Sequence, residues 1–458
     1  MNKRLNLLLS SILLYTGINL VGCSFGSTPS STSQNETSSE SASSAPTNSS
    51  SEIKHTHTLI DGICSECGYD DRFVFSNEGK RIESIKSTYK NLESITIPDG
   101  VESIYSDVFK NCNNLKKVVF PSSMKELAPT LFQNCTALEE VNLPQNITVI
   151  NRYLFNGCSS LTSIVIPDGV TEIEPNAFEG CTNLISISIP NSVSQLSSQT
   201  FKGCSSLTNI TLPSNITYIG EEMFYKCSSL TSLNIPDGVT TIGKKAFYYC
   251  TKLENINIPN NVTTIKDSTF EGCSSLTSIA LPSNLEIISS SSFAECYSLE
   301  EVVLPSSLKS IGNAAFSRCS KLKELILPEN VETIAPAAFY FCENLQKLVL
   351  NDKITTIPVQ AFDDCKNITE LVIPSNIIKI DTAFCSLESL KNLTLSNALT
   401  EVSSMAFNGC SNLENVKFEG TENEFKAIKD LRIAIYIANK NAIVTFRNGK
   451  SKSVSEIN

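Results

Sequence analysis

Cysteine recurs every 23 residues through most of this chain, and the residues around each cysteine recur with it. The positions are 112, 135, 158, 181, 204, 227, 250, 273, 296, 319, 342 and 365. One residue is then lost near Ile377–Ile380, so Leu387 takes the next cysteine position and Cys410 follows 23 residues later. A fixed period of this length indicates stacked repeats, because one short unit cannot bury its apolar side alone.

The repeat unit predicts the shape of each coil. It reads Cys-x-x-Leu-x-x-Ile-x-Ile-Pro, then Val-x-x-Ile, then Ala-Phe-x-x-Cys. The alternating Ile positions predict a short strand, and Pro, which has no N–H to donate, ends it. The three-to-four spacing that follows is typical of a tight turn and a short helical or 3-10 segment. We therefore predict an α/β-type repeat solenoid with one parallel β-sheet, one short strand per 23-residue coil, and short helical, 3-10 or turn segments on the other faces.

This unit closely resembles the BspA-like leucine-rich-repeat surface proteins of bacteria. In the copy that begins at Cys158, the matching positions are Leu161, Ile164, Ile166, Pro167, Val170, Ile173, Ala177 and Phe178. The resemblance covers about residues 89 to 418, and the phenylalanine position is filled in every copy from Phe109 to Phe407. It implies a cell-surface protein that adheres to host extracellular proteins or to other cells.

The cysteine column is interpreted as core packing. Equivalent residues of stacked coils lie about 4.8 Å apart, and parallel Cβ vectors then leave the Cβ atoms too far apart for an ordinary disulfide. The same position also accepts Leu387 and Tyr89, which neither a disulfide nor a metal would tolerate. Free cysteine behaves as a small, buried apolar residue.

The N-terminus has the features of an export signal followed by a lipid anchor. Lys3 and Arg4 precede an apolar segment, Leu5 to Ile18, that is too short to span a membrane. Leu20-Val21-Gly22-Cys23 resembles the bacterial lipobox, which implies diacylglycerol on the Cys23 thiol and cleavage before it. Residues 1–22 would be the signal peptide, and residues 23–52, rich in Ser and Thr, a disordered tether. Membrane attachment is expected through this N-terminal lipid only.

Residues 53–70 hold both histidines of the chain and its only Cys-x-x-Cys. His55, His57, Cys64 and Cys67 could supply the four N and S ligands of one structural zinc. A strained Cys64–Cys67 disulfide in an oxidising compartment is the competing interpretation, and an idle pair is the third. A closed set of four ligands would leave no position for a catalytic water.

The remaining boundaries follow the repeat. Residues 71–100 are expected to form an N-terminal cap with a partial repeat, residues 101–418 the solenoid, and residues 419–458 a C-terminal cap and tail. Within that last segment, Glu422 to Leu431 has helical spacing, and Ala442 to Phe446 is typical of a closing strand.

Composition excludes several functions. The net charge of −11 argues against a nucleic-acid partner, which needs a basic surface. With no histidine beyond residues 55 and 57, a nucleophile in the solenoid would have no histidine base. No catalytic residue is therefore assigned, and the chain is not predicted to be an enzyme.

A docking surface is predicted on the outward strand position between the two inward Ile residues. Four consecutive coils place Val303, Ile326, Val349 and Val372 there, and Glu301, Glu324 and Lys347 are among the charges beside them. An apolar stripe rimmed by charges fits a protein ligand, such as a host matrix or cell-surface protein. Plain β-propensity would also place β-branched residues in strands.

A glycan-capturing or scaffolding envelope lipoprotein is the alternative function, with the neutral Ser188–Asn257 stretch as the glycan surface. A metal-acquisition lipoprotein is a third, resting on residues 55–67.

Overall fold

The computed structural model describes residues 59–60, 62–64 and 70–457. The signal segment, Cys23 and the Ser/Thr-rich stretch lie outside the described residues. Among the described residues, no helix has the length and apolar character needed to cross a membrane.

The strand expected from the Leu-x-x-Ile-x-Ile pattern forms a parallel ladder, called here the first ladder. Its middle residue points inward and the flanking residues point outward, as in Asn255–Asn257 with Ile256 buried. Neighbouring strands pair with a 23-residue offset, for example Ser186 with Asn209. The solenoid with parallel strands is thus confirmed. The strands of the first ladder are Ser94–Thr96, Lys117–Val119, Glu140–Val141, Ser186–Ser188, Asn209–Thr211, Ser232–Asn234, Asn255–Asn257, Ser278–Ile279, Glu301–Val302, Glu324–Ile326, Lys347–Val349, Glu370–Val372, Asn392–Leu395 and Asn415–Phe418.

A second parallel ladder adds to the single one expected. It is built on the Val-x-x-Ile segment, where the last Ile is buried and the residue before it faces outward, as in Thr264–Ile265. Equivalent strands of neighbouring coils pair in parallel in separate runs of two to four strands, as Thr264 pairs with Ile287 and Ile287 with Ser310. These strands are Arg81–Ile85, Ser103–Ile104, Val149–Ile150, Glu172–Ile173, Gln195–Leu196, Tyr218–Ile219, Thr241–Ile242, Thr264–Ile265, Ile287–Ile288, Ser310–Ile311, Thr333–Ile334, Thr356–Ile357, Lys379–Ile380 and Glu401–Val402.

The rest of each coil is made of turns rather than helix. The residue directly before the cysteine position has positive φ in coil after coil, with Gly at 157, 180 and 203 and other residues elsewhere, such as Tyr249. Glycine suits this position because it lacks the Cβ that opposes the left-handed conformation. A left-handed residue at this point reverses the chain sharply, so the Phe and Cys side chains on either side of it both reach the core.

Two columns of side chains, phenylalanine and cysteine, run through the core beside the buried Leu, Ile and Val of each coil. The phenylalanine rings of consecutive coils stack from Phe109 to Phe407, with centroids 5.1–5.8 Å apart and planes within 14° of parallel. The repeat cysteines form the second column, and all are buried, as predicted. From Cys135 on, each repeat thiol also donates a hydrogen bond to the carbonyl oxygen of a phenylalanine 26 residues earlier, as from Cys250 to Phe224 at 3.1 Å.

Different elements close each end of the stacked coils. At the N-terminal end, Leu59–Ile60 pairs antiparallel with Ile63–Cys64, and Phe73–Ser76 pairs antiparallel with Arg81–Ile85. At the C-terminal end, Ile443–Thr445 extends the first ladder and Ser451–Ser453 pairs antiparallel with it. Short 3-10 segments span Ser87–Tyr89 and Val454–Glu456.

Two α-helices lie near the C-terminus, where one helical segment was expected. Helix α1 spans Glu422–Ala427 and begins at a capping box in which Thr421 and Glu424 bond each other's backbone N–H. Helix α2 spans Leu431–Ala438. The break falls at Ile428, which is extended, and Asp430, which is left-handed. Phe425 packs edge-on against Phe418 and Phe446, which fixes α1 to the last strands.

Candidate protein-docking surface

The four apolar residues expected to dock a partner lie side by side on the outward face of the first ladder. Ile326 and Val349 are direct neighbours across two paired strands. The exposed fractions are 81% for Val303, 51% for Ile326, 40% for Val349 and 51% for Val372. Since adjacent strands are about 4.8 Å apart, the four side chains form one continuous row, called here the apolar stripe.

Charged side chains border the apolar stripe. Lys323 Nζ lies 2.7 Å from Glu300 Oε2, and Lys347 pairs with Glu324. These pairs link neighbouring coils, and hydrogen bonding to Lys323 holds the pKa of Glu300 below its usual range. Exposed ion pairs of this kind add little stability, because water screens them. Their main effect is to give the stripe a polar rim.

Two acidic side chains of the rim make no ion pair with a described lysine or arginine. They are Glu301, which starts a strand beside Val303, and Glu370, which starts the strand of Val372. Both are exposed. The rim therefore presents free negative charge that could meet a basic group on a partner.

A groove of about 750 Å³ lies at the Val303 and Ile326 end of the apolar stripe. Its apolar wall combines Val303 and Ile326 with Leu304, Leu327 and Pro328. The last three belong to the turn after each strand, where Pro ends the ladder. These turn residues were not predicted from the sequence as part of the surface. The proline that recurs after the strand in most coils, here Pro305 and Pro328, was the available signal, since it fixes a turn at the same corner of those coils.

Of the remaining predicted site residues, the structure describes only Cys64. Cys23, His55, His57 and Cys67 lie outside the described residues, and Cys64 is described as part of the strand Ile63–Cys64. Among the residues that the structure describes, no three His, Cys, Asp or Glu side chains form a group that could hold a metal ion. The zinc site therefore stays a prediction.

Comparison with known proteins identifies the repeat. The model of the BspA type leucine rich repeat region, found in 6 copies, matches residues 80–208, 194–323 and 309–430. No curated protein sequence matches the chain.

Among solved structures, a leucine-rich repeat protein from Bacteroides ovatus is 26% identical, with a TM-score of 0.71 over 82% of this chain and 97% of that one. A leucine rich cell surface protein from Faecalibacterium prausnitzii is 28% identical, with a TM-score of 0.48 over 78% of this chain and 95% of that one. A leucine-rich repeat protein from Eubacterium ventriosum is 22% identical, with a TM-score of 0.44 over 65% of this chain and 85% of that one. Because the repeat model matches well over half of its 458 residues, this chain belongs to the BspA-type leucine-rich repeat family.

Proposed function

We propose that this protein is a non-enzymatic binding module, displayed on a bacterial cell surface, that docks a protein partner on the apolar stripe. A lipid on Cys23 would hold the chain at the membrane, and the Ser/Thr-rich stretch up to residue 52 would carry the solenoid away from it. The partner would be a host matrix protein or a protein of a neighbouring cell. Membership of the BspA-type family supports a repeat scaffold of this kind.

The exposure of the apolar stripe is the observation that carries the proposal. Isolated exposed valines also occur on this face, at Val119 and Val165, and these need no explanation beyond strand propensity. Four exposed apolar residues on consecutive coils, with a groove beside two of them and charges around them, form a contiguous patch instead. Contiguous apolar patches with a polar rim are typical of protein interaction sites.

Paired substitutions in the stripe test the proposal. Ile326→Asp with Val349→Asp should leave thermal stability nearly unchanged, because both side chains already face solvent. Binding of labelled host matrix proteins to cells that display the variant should fall at least about tenfold, equivalent to about 1.4 kcal/mol. Cells without the gene give the background.

Val165→Asp is the matched control. Val165 occupies the same outward position and is 80% exposed, but it lies seven coils before Ile326 with polar neighbours at Asn142 and Ser188. It should leave binding unchanged. Equal binding by wild type and the Ile326/Val349 variant would place the partner site elsewhere on the chain.

A further inference from the structure

A second surface, on the same ladder but on earlier coils, has the opposite chemistry. Four consecutive strands present only short, neutral polar side chains outward, in two columns that run along the solenoid axis. The residues are Ser186, Ser188, Asn209, Thr211, Ser232, Asn234, Asn255 and Asn257. All eight are exposed and alternate with buried Ile or Leu. This set is called here the polar ladder.

The hydrogen-bonding groups of the polar ladder are unengaged. None of its eight side chains makes a hydrogen bond to any other residue that the structure describes. Elsewhere on the same face, polar side chains bond one another between or within strands, as Asn415 does to Asn392 and Asn142 to Glu140. Amide and hydroxyl groups both donate and accept, so the polar ladder offers free donors and free acceptors.

Five of the eight residues of the polar ladder line a shallow trough. One groove, of about 540 Å³, is lined by Asn209, Ser232 and Asn234 together with Leu212 and Pro236. A second, of about 480 Å³, includes Ser188, Pro190 and Ser192. Both grooves share Thr211 and Leu212, so they join into one trough across neighbouring coils. The trough thus combines polar groups with the apolar surface of Leu and Pro.

Two details of the walls add to this chemistry. The hydroxyl of Ser192 is shielded from solvent and has no hydrogen-bond partner among the described residues. Buried polar atoms without a partner are rare in native proteins, and each calls for an explanation such as a water or a ligand. The only carboxylates lining the two grooves are Asp168 and Asp237, and no lysine or arginine lines either groove.

We infer that the polar ladder binds a neutral linear oligosaccharide that lies along the solenoid axis. A sugar chain has hydroxyls that donate and accept, C–H faces that contact Leu and Pro, and no charge to be matched. Since the strands repeat every 4.8 Å or so, successive coils offer equivalent bonds to successive units of a repeating ligand. A protein partner is less well matched here, because the trough lacks the exposed large apolar anchors that concentrate binding energy in protein interfaces.

The test uses the full-length protein and defined glycans. Neutral linear oligosaccharides of glucose, mannose, xylose or N-acetylglucosamine, and anionic glycans of similar length, are screened on an array. The strongest ligand is then titrated calorimetrically. We expect binding to at least one neutral series, and at least a tenfold loss of affinity in Thr211→Ala with Asn234→Ala. The fold should tolerate both changes because the two side chains make no bond within the protein.

Controls separate this surface from the rest of the chain. Thr96→Ala with Asn142→Ala changes the same strand position on coils outside the polar ladder, and it should bind like wild type. Ile326→Asp with Val349→Asp should also keep full glycan affinity, so loss of one site would not imply loss of the other. Asn234→Asp, which is nearly isosteric, removes amide donors without altering shape and should also weaken binding. Absence of binding to every neutral glycan, a preference for anionic glycans, or equal affinity in the Thr211/Asn234 variant would each overturn the inference.

Discussion

At the scale of single residues, Asp363 shows how the solenoid absorbs the loss of one residue. Ile357 pairs with Ile380 at the usual offset of 23, yet Phe362 stacks on Phe384 only 22 residues later. The missing residue therefore lies between Ile380 and Phe384, slightly later than the sequence pattern indicated.

The missing residue changes one hydrogen bond. In complete coils, the N–H after the phenylalanine donates to a turn carbonyl of the same coil, as from Tyr248 to Lys245. In the shortened coil, the corresponding N–H of Cys385 donates to Asp363 Oδ1 at 2.8 Å. The carboxylate of the preceding coil thus replaces the turn carbonyl.

The burial of Asp363 predicts a measurable pH dependence. Burial raises the pKa of Asp363 to about 6, from an ordinary value of 3.8. Because the pKa of Asp363 is higher in the folded state, the folded protein is favoured when this side chain is protonated. That contribution to stability is lost as pH rises through 6. Asp363→Asn keeps an acceptor for the Cys385 N–H but carries no charge at any pH. We expect the variant to be the more stable protein at pH 7.5, by on the order of 1 kcal/mol, and the difference to vanish near pH 4.

Denaturant unfolding of both proteins at pH 4, 5, 6 and 7.5 measures this difference. The carboxylates that pair with lysine elsewhere, such as Glu140, have lowered pKa values, so their effect on stability changes with pH in the opposite direction. Both proteins contain these carboxylates, so their effect cancels in the comparison. A difference that stays constant with pH would show that the carboxylate does not titrate as described.

At the scale of the repeating elements, the cysteine column does more than fill space. From Cys135 on, each repeat thiol donates to a phenylalanine carbonyl of an earlier coil, as Cys296 does to Phe270 at 3.2 Å. The hydrogen bond satisfies the only polar group that the small side chain brings into the core. Leu387, which is also fully buried in this column, shows that the bond is dispensable in a single coil.

Burial of the column predicts protected thiols. Burial raises the pKa of Cys135 to about 12 and that of Cys250, which is fully enclosed, well above its usual range. The thiolate is the reactive form, so the repeat cysteines should resist alkylation at pH 8 in the folded protein. All should react after denaturation without a reductant. Mass spectrometry of the alkylated protein counts them, and several inter-coil disulfides would contradict the packing interpretation.

The elements also show what the sequence could and could not predict. The first ladder was predictable because Ile-x-Ile alternates over enough residues to mark an inside and an outside face. The second ladder was not, because strands of two residues, such as Thr356–Ile357, are too short to display a period. The apolar stripe was predictable from the register of the repeat. Once one outward residue is assigned, the outward residues of the other coils follow at the same position of the repeat. The groove beside it was not, because it depends on how Leu304 and Pro328 of different coils come together.

At the scale of the whole molecule, two surfaces of different chemistry share the outward face of the first ladder. The polar ladder ends at Asn257 and the apolar stripe begins at Val303, with only Ala280 between them in the same outward column. A solenoid allows this because each coil packs only on its neighbours, so outward residues can change without altering the core. A partner that carries both protein and glycan could therefore contact both surfaces along one face.

The segment before the solenoid is predicted to bind zinc. His55, His57, Cys64 and Cys67 are expected to hold one zinc ion, and Cys64 lies in a two-residue strand that pairs with Leu59–Ile60 rather than with any 23-residue coil. Structural zinc sites supply folding energy to the segment that holds them. Protein purified without chelator should contain about one zinc per chain by elemental analysis, and Cys64→Ser should abolish it.

The Cys64→Ser variant and a control separate the zinc site from the repeats. Thermal unfolding of the repeats, followed by circular dichroism, should be unchanged in Cys64→Ser, because the core columns begin only at Phe109 and Cys112. Cys385→Ser is the matched control: it removes a cysteine that lies outside the proposed site and should leave the zinc content unchanged.

The two remaining interpretations of the Cys-x-x-Cys predict different results. A metal-free wild-type protein with a Cys64–Cys67 disulfide would replace the zinc site by a redox-sensitive crosslink. A metal-free protein with two free thiols at these positions would leave the pair idle, and either result would remove the only basis for a metal-acquisition role.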